Sequence, residues 1–242
     1  MRLRLGVSTA AGELEWKEVL APGRGVVYEM ITHADAGLGT RLHESGFGVH
    51  GMAPWGYGAP VFPAARRRRG CYAVGGSGVV EFGSPVPEVV ESLGRGLAGQ
   101  RVIAWGGVAL RVTGIEVVEP PRFGSERARF RTVTPVVMKG SGRDESGVRS
   151  TRQDWVLPGE PQWAEYFQGN LRRKAETLGL APRVSLESVT WIGPKRSFSV
   201  GKGAKPGAAV EVEVAGSAEV LRALWSWGLG QANSVGMGWV GA

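Results

Sequence analysis

The stretch Glu119–Ser125, EPPRFGS, decides how this chain is read. Two adjacent prolines, a glycine and a serine interrupt what comes before and after, and proline at two successive positions ends both helix and central strand. Taken as a linker, it leaves two segments, 1–120 and 121–242, each of ordinary domain size.

Upstream of the break, MRLRLGV (1–7) alternates apolar and charged residues, the mark of a half-buried strand. VVYEMITHADAGLGTRLHES (26–45) reads as one helix or a broken pair, with Val27, Met30 and Ile31 on one face and Leu38 and Leu42 on another. FGVHGMAPWGYGAPVF (47–62) reads as a strand with a loop, and AARRRRG (64–70) as a basic turn. CYAVGGSGVVEFGS (71–84) is a strand with a glycine break. PEVVESLGRGLAG (87–99) is a short helix with Pro87 suited to its first turn, and residues 101–119 are one long extended segment.

Downstream, the order recurs. RFRTVTPVVM (129–138) is a strand. WAEYFQGNLRRKAETLG (163–179) is a helix whose Trp163, Tyr166, Phe167, Leu171 and Leu178 form one apolar stripe. VSLESVTWIG (184–193) and GAAVEVEVAG (207–216) are strands, SAEVLRALWSW (217–227) is a helix N-capped by Ser217, and GWV (238–240) is a short last strand. Each half thus reads strand–helix–strand–strand–helix–strand. The fold class is α+β: two tandem ferredoxin-like domains.

Composition narrows the partners. The net charge is +7, which favours a polyanion such as nucleic acid. Arginines cluster at Arg66, Arg67, Arg68 and Arg69, at Arg127, Arg129 and Arg131, and beside Lys174 at Arg172 and Arg173. The single cysteine, Cys71, fits a reducing cytoplasm, and no Cys/His spacing resembles a zinc site, so no metal and no cofactor are expected. The apolar run near the start is too short and broken for a signal peptide, and no stretch is long enough to cross a bilayer. The polar tract 140–152 reads as mobile.

The remaining feature is GLGQANSVGMG (228–238), which follows a helix and precedes a strand. A dinucleotide-binding glycine turn has the reverse placement. Gly228, Gly230, Gly236 and Gly238 instead permit positive φ, which can aim backbone N–H groups into a concavity that holds phosphate and let the loop lie against a sugar–phosphate backbone. Gln231, Asn233 and Ser234 add neutral donors and acceptors. On this reading the loop stands apart from the folded core, and substitutions in it spare folding.

Three pieces of the chain, spread over nearly its whole length, carry a resemblance. The glycine-rich end, TPVVMK with EYFQGNLRRKAETL, and YEMITHADAGLGTRLHESGF resemble the CRISPR-associated endoribonucleases that cut precursor CRISPR RNA within its repeats, members of the repeat-associated ferredoxin-like RNA-binding superfamily. The resemblance implies metal-independent cleavage by attack of the ribose 2′-OH on the adjacent phosphate, leaving 2′,3′-cyclic phosphate and 5′-OH ends. It implies a catalytic histidine at His43, a tyrosine partner at Tyr28, and RNA contacts from the glycine-rich loop. The family's lysine shortly after the histidine has no counterpart: no Lys or Arg lies between His43 and Arg66, and His50 is the candidate base in that gap. CRISPR repeat RNA is the expected partner, with other subunits of a CRISPR effector complex, and no membrane. The competing reading is a structural subunit of such a complex that binds RNA without cutting it.

Overall fold

The computed structural model describes residues 1–241 except 68, 125, 144–148 and 201–202; at 141–143, 149–154 and 199–200 it describes the backbone alone. The first half contains β1 (Arg2–Thr9), β2 (Glu13–Leu14), α1 (Ala21–Ala34), α2 (Ala36–Glu44), β3 (Gly56–Tyr57), β4 (Tyr72–Ala73), β5 (Gly76–Gly83), α3 (Pro87–Ala98), β6 (Val102–Trp105) and β7 (Val108–Val118). Its main sheet runs β3-β5-β1-β7-β6, and every pairing is antiparallel. The alternation in β1 is realised: Leu3, Leu5 and Val7 are buried with Val27, Ile31, Val89, Leu93 and Leu97 of α1 and α3. The long extended segment 101–119 is a hairpin, because Gly106 and Gly107 both take positive φ and close a two-residue turn between β6 and β7.

The region 26–45 is a broken pair. Asp35 leaves the helical region at φ −155°, and its carboxylate accepts the Leu38 N–H, ending α1 and capping α2 in one residue. The two helices are pressed together at Gly39, where an added Cβ would overlap Thr32 Oγ1 and lie 3.0 Å from Thr32 Cα.

The second half contains β8 (Arg127–Arg131), β9 (Met138–Arg143), β10 (Arg149–Val156), α4 (Trp163–Thr177), β11 (Val184–Ile192), β12 (Arg196–Val200), β13 (Gly203–Gly207), β14 (Val210–Gly216) and α5 (Ala218–Trp227). The order β11-β14-β8 is continued by a lone bridge from Thr132 to Val240. Strand for strand this repeats β3-β5-β1-β7, and both halves are ferredoxin-like. The expected last strand shrinks to that bridge. The expected strand 129–138 ends at Arg131, after which Val136 and Val137 bridge to Ala208 and Gln231. Two hairpins, β9–β10 and β12–β13, are additions to the basic order. The backbone of the polar tract 140–152 belongs partly to the first of them, and residues 144–148 lie outside the described residues. Ser217 caps α5 as expected, accepting from the Val220 N–H.

The core of this half joins Trp163, Phe167 and Leu171 of α4 to Val210, Val212 and Val214 of β14 and Leu221 and Leu224 of α5. Arg2 departs from the alternation of β1. It is fully buried, with its guanidinium between the rings of Trp225 and Trp239 at 3.9 and 4.0 Å and donating to the Trp225 carbonyl. Burial lowers its pKa to about 9, against the pull of Glu81, so it stays cationic at neutral pH. The first strand is thereby fastened to the last helix and to the chain's final residues. Among the described residues, no helix is long and apolar enough to cross a membrane.

Candidate functional site

Tyr28 lies in the second half of α1, and His43 lies in the last turn of α2. The break at Asp35 folds α2 back so that the two rings meet edge to face, with centroids 5.3 Å apart. Tyr28 is braced on its other side by the buried Trp55, at 5.0 Å. His43 stays exposed, open to a ligand from solvent. One turn earlier on the same face of α1, Arg24 sits over the Tyr28 ring at 5.4 Å.

Tyr28 and Arg24 line a cleft of about 550 Å³ whose far wall is Lys205 of β13 together with Ala232, Ser234 and Val235 of the glycine-rich end. The two halves of the chain therefore meet at this cleft. Lys205 has its pKa lowered, first by partial burial and then by repulsion from Lys139 and Arg24. Lys139 and Lys205 both approach the Trp155 ring, at 5.1 and 5.3 Å. Sequence reasoning missed these cations. Arg24 was legible as the i, i+4 neighbour of Tyr28; Lys205 carries no local signal, because only the tertiary path of an added hairpin delivers it. Among the described residues, no group of three or more His, Cys, Asp or Glu side chains is arranged to hold a metal ion.

His50 is directed elsewhere. Its Nε2 lies 2.6 Å from Oε2 of Glu176 on α4, an ion pair when the imidazole is protonated. Arg66, Arg67 and Arg69 are exposed, and Arg68 lies outside the described residues. The other two basic clusters prove less basic than expected. Arg127, Arg129 and Arg131 pair with Glu187, Glu213 and Glu211 across the second sheet. Lys174 is not on the exposed side of α4 with Arg172 and Arg173; it is wholly buried.

Lys174 explains the glycine-rich end. Its ammonium donates to Asn233 Oδ1 at 2.6 Å and lies 3.9 Å from the centroid of the Trp227 ring. Asn233 Nδ2 donates to the carbonyls of Leu229 and Met237 at 3.0 and 2.8 Å. Both amide hydrogens are committed within the protein, so the expected RNA donor at Asn233 is a structural strut. The four glycines do take positive φ, from +67° to +97°, but all are buried. Their missing side chains make room for the protein itself. A Cβ on Gly228 would lie 2.8 Å from the Gly238 carbonyl oxygen, one on Gly230 2.6 Å from Val136 Cγ1, and one on Gly236 2.9 Å from Leu20 and Tyr57. A Cβ on Gly238 would overlap the Leu229 carbonyl oxygen. The loop standing apart from the core is thus corrected to a packed segment wedged between the two halves. Its accessible polar members are Gln231, which exchanges hydrogen bonds with the Lys139 backbone, and Ser234.

A pH signature follows from Lys174. Burial pushes its pKa well below the ordinary 10.5. The unfolded chain then binds this proton more readily than the folded one. Stability is expected to rise with pH from the lowered value up to 10.5, and to be lost as pH falls through that window, by at most about 1.4 kcal/mol per pH unit. Denaturant unfolding of the native chain and of Lys174→Met, compared across alkaline pH, should show a steeper rise in the native chain, the remainder in the variant coming from other buried cations such as Arg2.

A family model described as CRISPR associated protein Cas6, C-terminal, matches residues 118–241. Similar solved structures include a RAMP protein described as binding different RNA substrates, 15% identical, covering 99% of this chain and 98% of that one with a TM-score of 0.80. A CRISPR associated protein Cas6 is 19% identical over 100% of this chain and 98% of that one, with a TM-score of 0.78. A Cas6-related protein from Pyrococcus furiosus is 13% identical over 100% and 97%, with a TM-score of 0.77. No curated protein sequence matches the chain. At these identities the structural likenesses establish the fold, a pair of ferredoxin-like units in tandem. The family model spans more than half of the sequence, and the chain belongs to the Cas6 family of CRISPR-associated proteins.

Proposed function

We propose that the protein is a metal-independent endoribonuclease that cuts precursor CRISPR RNA within its repeats, at the cleft between α1 and the glycine-rich end. The observation that supports this reading best is the contact between Tyr28 and the exposed His43 beside a cleft walled by Arg24 and Lys205. In the proposed reaction the 2′-OH upstream of the scissile phosphate loses its proton and its oxygen attacks phosphorus. The bond from phosphorus to the 5′-oxygen breaks, and a proton passes to that oxygen. The products are a 2′,3′-cyclic phosphate and a 5′-OH.

His43 serves as the general acid or base, since an imidazole exchanges protons near neutral pH. Tyr28 positions it. Arg24 and Lys205 stabilise the charge that builds on the phosphorane oxygens, filling the place of the lysine absent between His43 and Arg66. The lowered pKa of Lys205 also makes it a readier proton donor than an ordinary lysine. RNA is held by Gln231 and Ser234 of the packed loop, by the exposed Arg66, Arg67 and Arg69, and by Arg68. His50, engaged with Glu176, is left outside the reaction.

The test is incubation of labelled repeat RNAs with the protein in a metal chelator, with the ends identified. Cleavage to cyclic phosphate ends is expected to persist in chelator and to vanish when the single nucleotide upstream of the cut is 2′-deoxy. Cutting of the deoxy substrate, or complete loss of cutting in chelator, favours a metal-activated water instead. Binding without cutting of any repeat would make the chain an RNA-holding subunit.

A further inference from the structure

We propose that the groove around Trp16 is a stacking site for an unpaired base of single-stranded RNA, with Arg67 and Arg196 on the neighbouring phosphates; this rests on the RNA-binding reading above.

Trp16 sits in a single turn of 3-10 helix, Trp16–Glu18, just before α1. Most tryptophans here are buried to 4% exposure or less, and Arg131 lies over the ring of the exposed Trp191. Trp16 is 44% exposed. Tyr72 meets it edge to face at 5.5 Å and is itself anchored, its hydroxyl donating to the Pro60 carbonyl at 2.6 Å. The indole is braced on one side and open on the other. Two clefts of about 380 and 430 Å³ meet at Trp16 and Arg196. One continues to Phe198 on β12, the other to Arg67. Each lies in the size range of small-ligand pockets.

The charges select the occupant. Lys17 is largely spent on Glu15, 2.8 Å away. Among the described residues, no carboxylate lies within ion-pair reach of Arg67 or Arg196. An apolar peptide would leave those two cations uncompensated, whereas a nucleotide supplies a π face and phosphates together. The site shares no residue with the Tyr28 cleft, yet the β12–β13 hairpin borders both, through Arg196 and Lys205. A strand crossing that hairpin reaches one cleft from the other.

The probes are fluorescein-labelled octauridylate and octaadenylate, too short to be a repeat. Trp16→Ala is expected to weaken binding about tenfold, as loss of one base stack does, and Trp16→Phe to restore most of it. Arg196→Ala should make the logarithmic salt dependence shallower by about 0.7. Independently of any substitution, an oligomer carrying 4-thiouridine should crosslink to the native protein at Trp16, Tyr72 or Phe198. Unchanged affinity in folded Trp16→Ala, crosslinks confined to other surfaces, or no binding of either oligomer overturns the proposal. Repeat cleavage in chelator is read separately, so the loss of this site leaves the cleavage reading standing, and failure of cleavage alone leaves this one.

Discussion

Replacing His43 with alanine is expected to slow single-turnover cleavage of repeat RNA by about two to four orders of magnitude, the scale of a lost general acid or base. RNA affinity should hardly move. The imidazole is exposed at the end of α2 and carries no core packing, so the variant should fold. Its contact with Tyr28 makes a second comparison informative. Tyr28→Phe keeps the ring that orients His43 and removes only the hydroxyl. If Tyr28 merely positions the imidazole, that variant retains most of the rate; if the hydroxyl moves a proton, it falls with His43→Ala. Full activity in a folded His43→Ala variant removes the histidine from the mechanism, and Lys205 is then the next group to replace.

The second large effect is on stability. Gly238→Ala is expected to destabilise the fold by about 3 kcal/mol, combining the cost of an L-residue at φ +67° with overpacking. The new Cβ would overlap the Leu229 carbonyl oxygen, an atom that also accepts the Asn233 amide. The Leu229 N–H donates to Gly238 in return, so neither backbone can retreat without breaking the pair. In a chain of this size such a loss lowers the melting temperature by about 10 °C. Gly169→Ala is the control. Gly169 lies inside α4 with open space where its Cβ would be, and the same substitution there should stabilise by about 1 kcal/mol. Equal melting temperatures for native chain and Gly238→Ala, measured without RNA, would return the glycines to a binding role.

The elements legible in sequence were those with a strong period or a clear punctuation mark. β1, α4, β14 and α5 follow from alternation, an apolar stripe and the Ser217 cap. What was not legible depends on distant partners. Arg2 reads as the solvent side of a strand, and only the arrival of Trp225 and Trp239 from the far end of the chain buries it. Lys174 reads as one member of a cluster of three cations, yet the helix turns it toward Asn233 while Arg172 and Arg173 stay outside. Glycines look alike in a sequence whether they yield space to a ligand or to their own protein. Of the candidate site, the pairing of Tyr28 with His43 came from the family resemblance, and the structure brings the two rings into contact. Lys205, on the opposite wall of the cleft, comes from a distant hairpin and carries no such signal.

The pinch between Thr32 and Gly39 sets the alignment of that pair. Tyr28 and His43 ride on two short rods joined at Asp35, so the angle between the rods enters directly into their separation. His43 lies four residues beyond Gly39, about 6 Å farther along the axis of α2. Any wedge at the pinch is therefore magnified at the imidazole, as a small shim near a hinge is at the free edge of a door. The working distance of the pair is in this sense machined into a residue whose side chain is a single hydrogen atom.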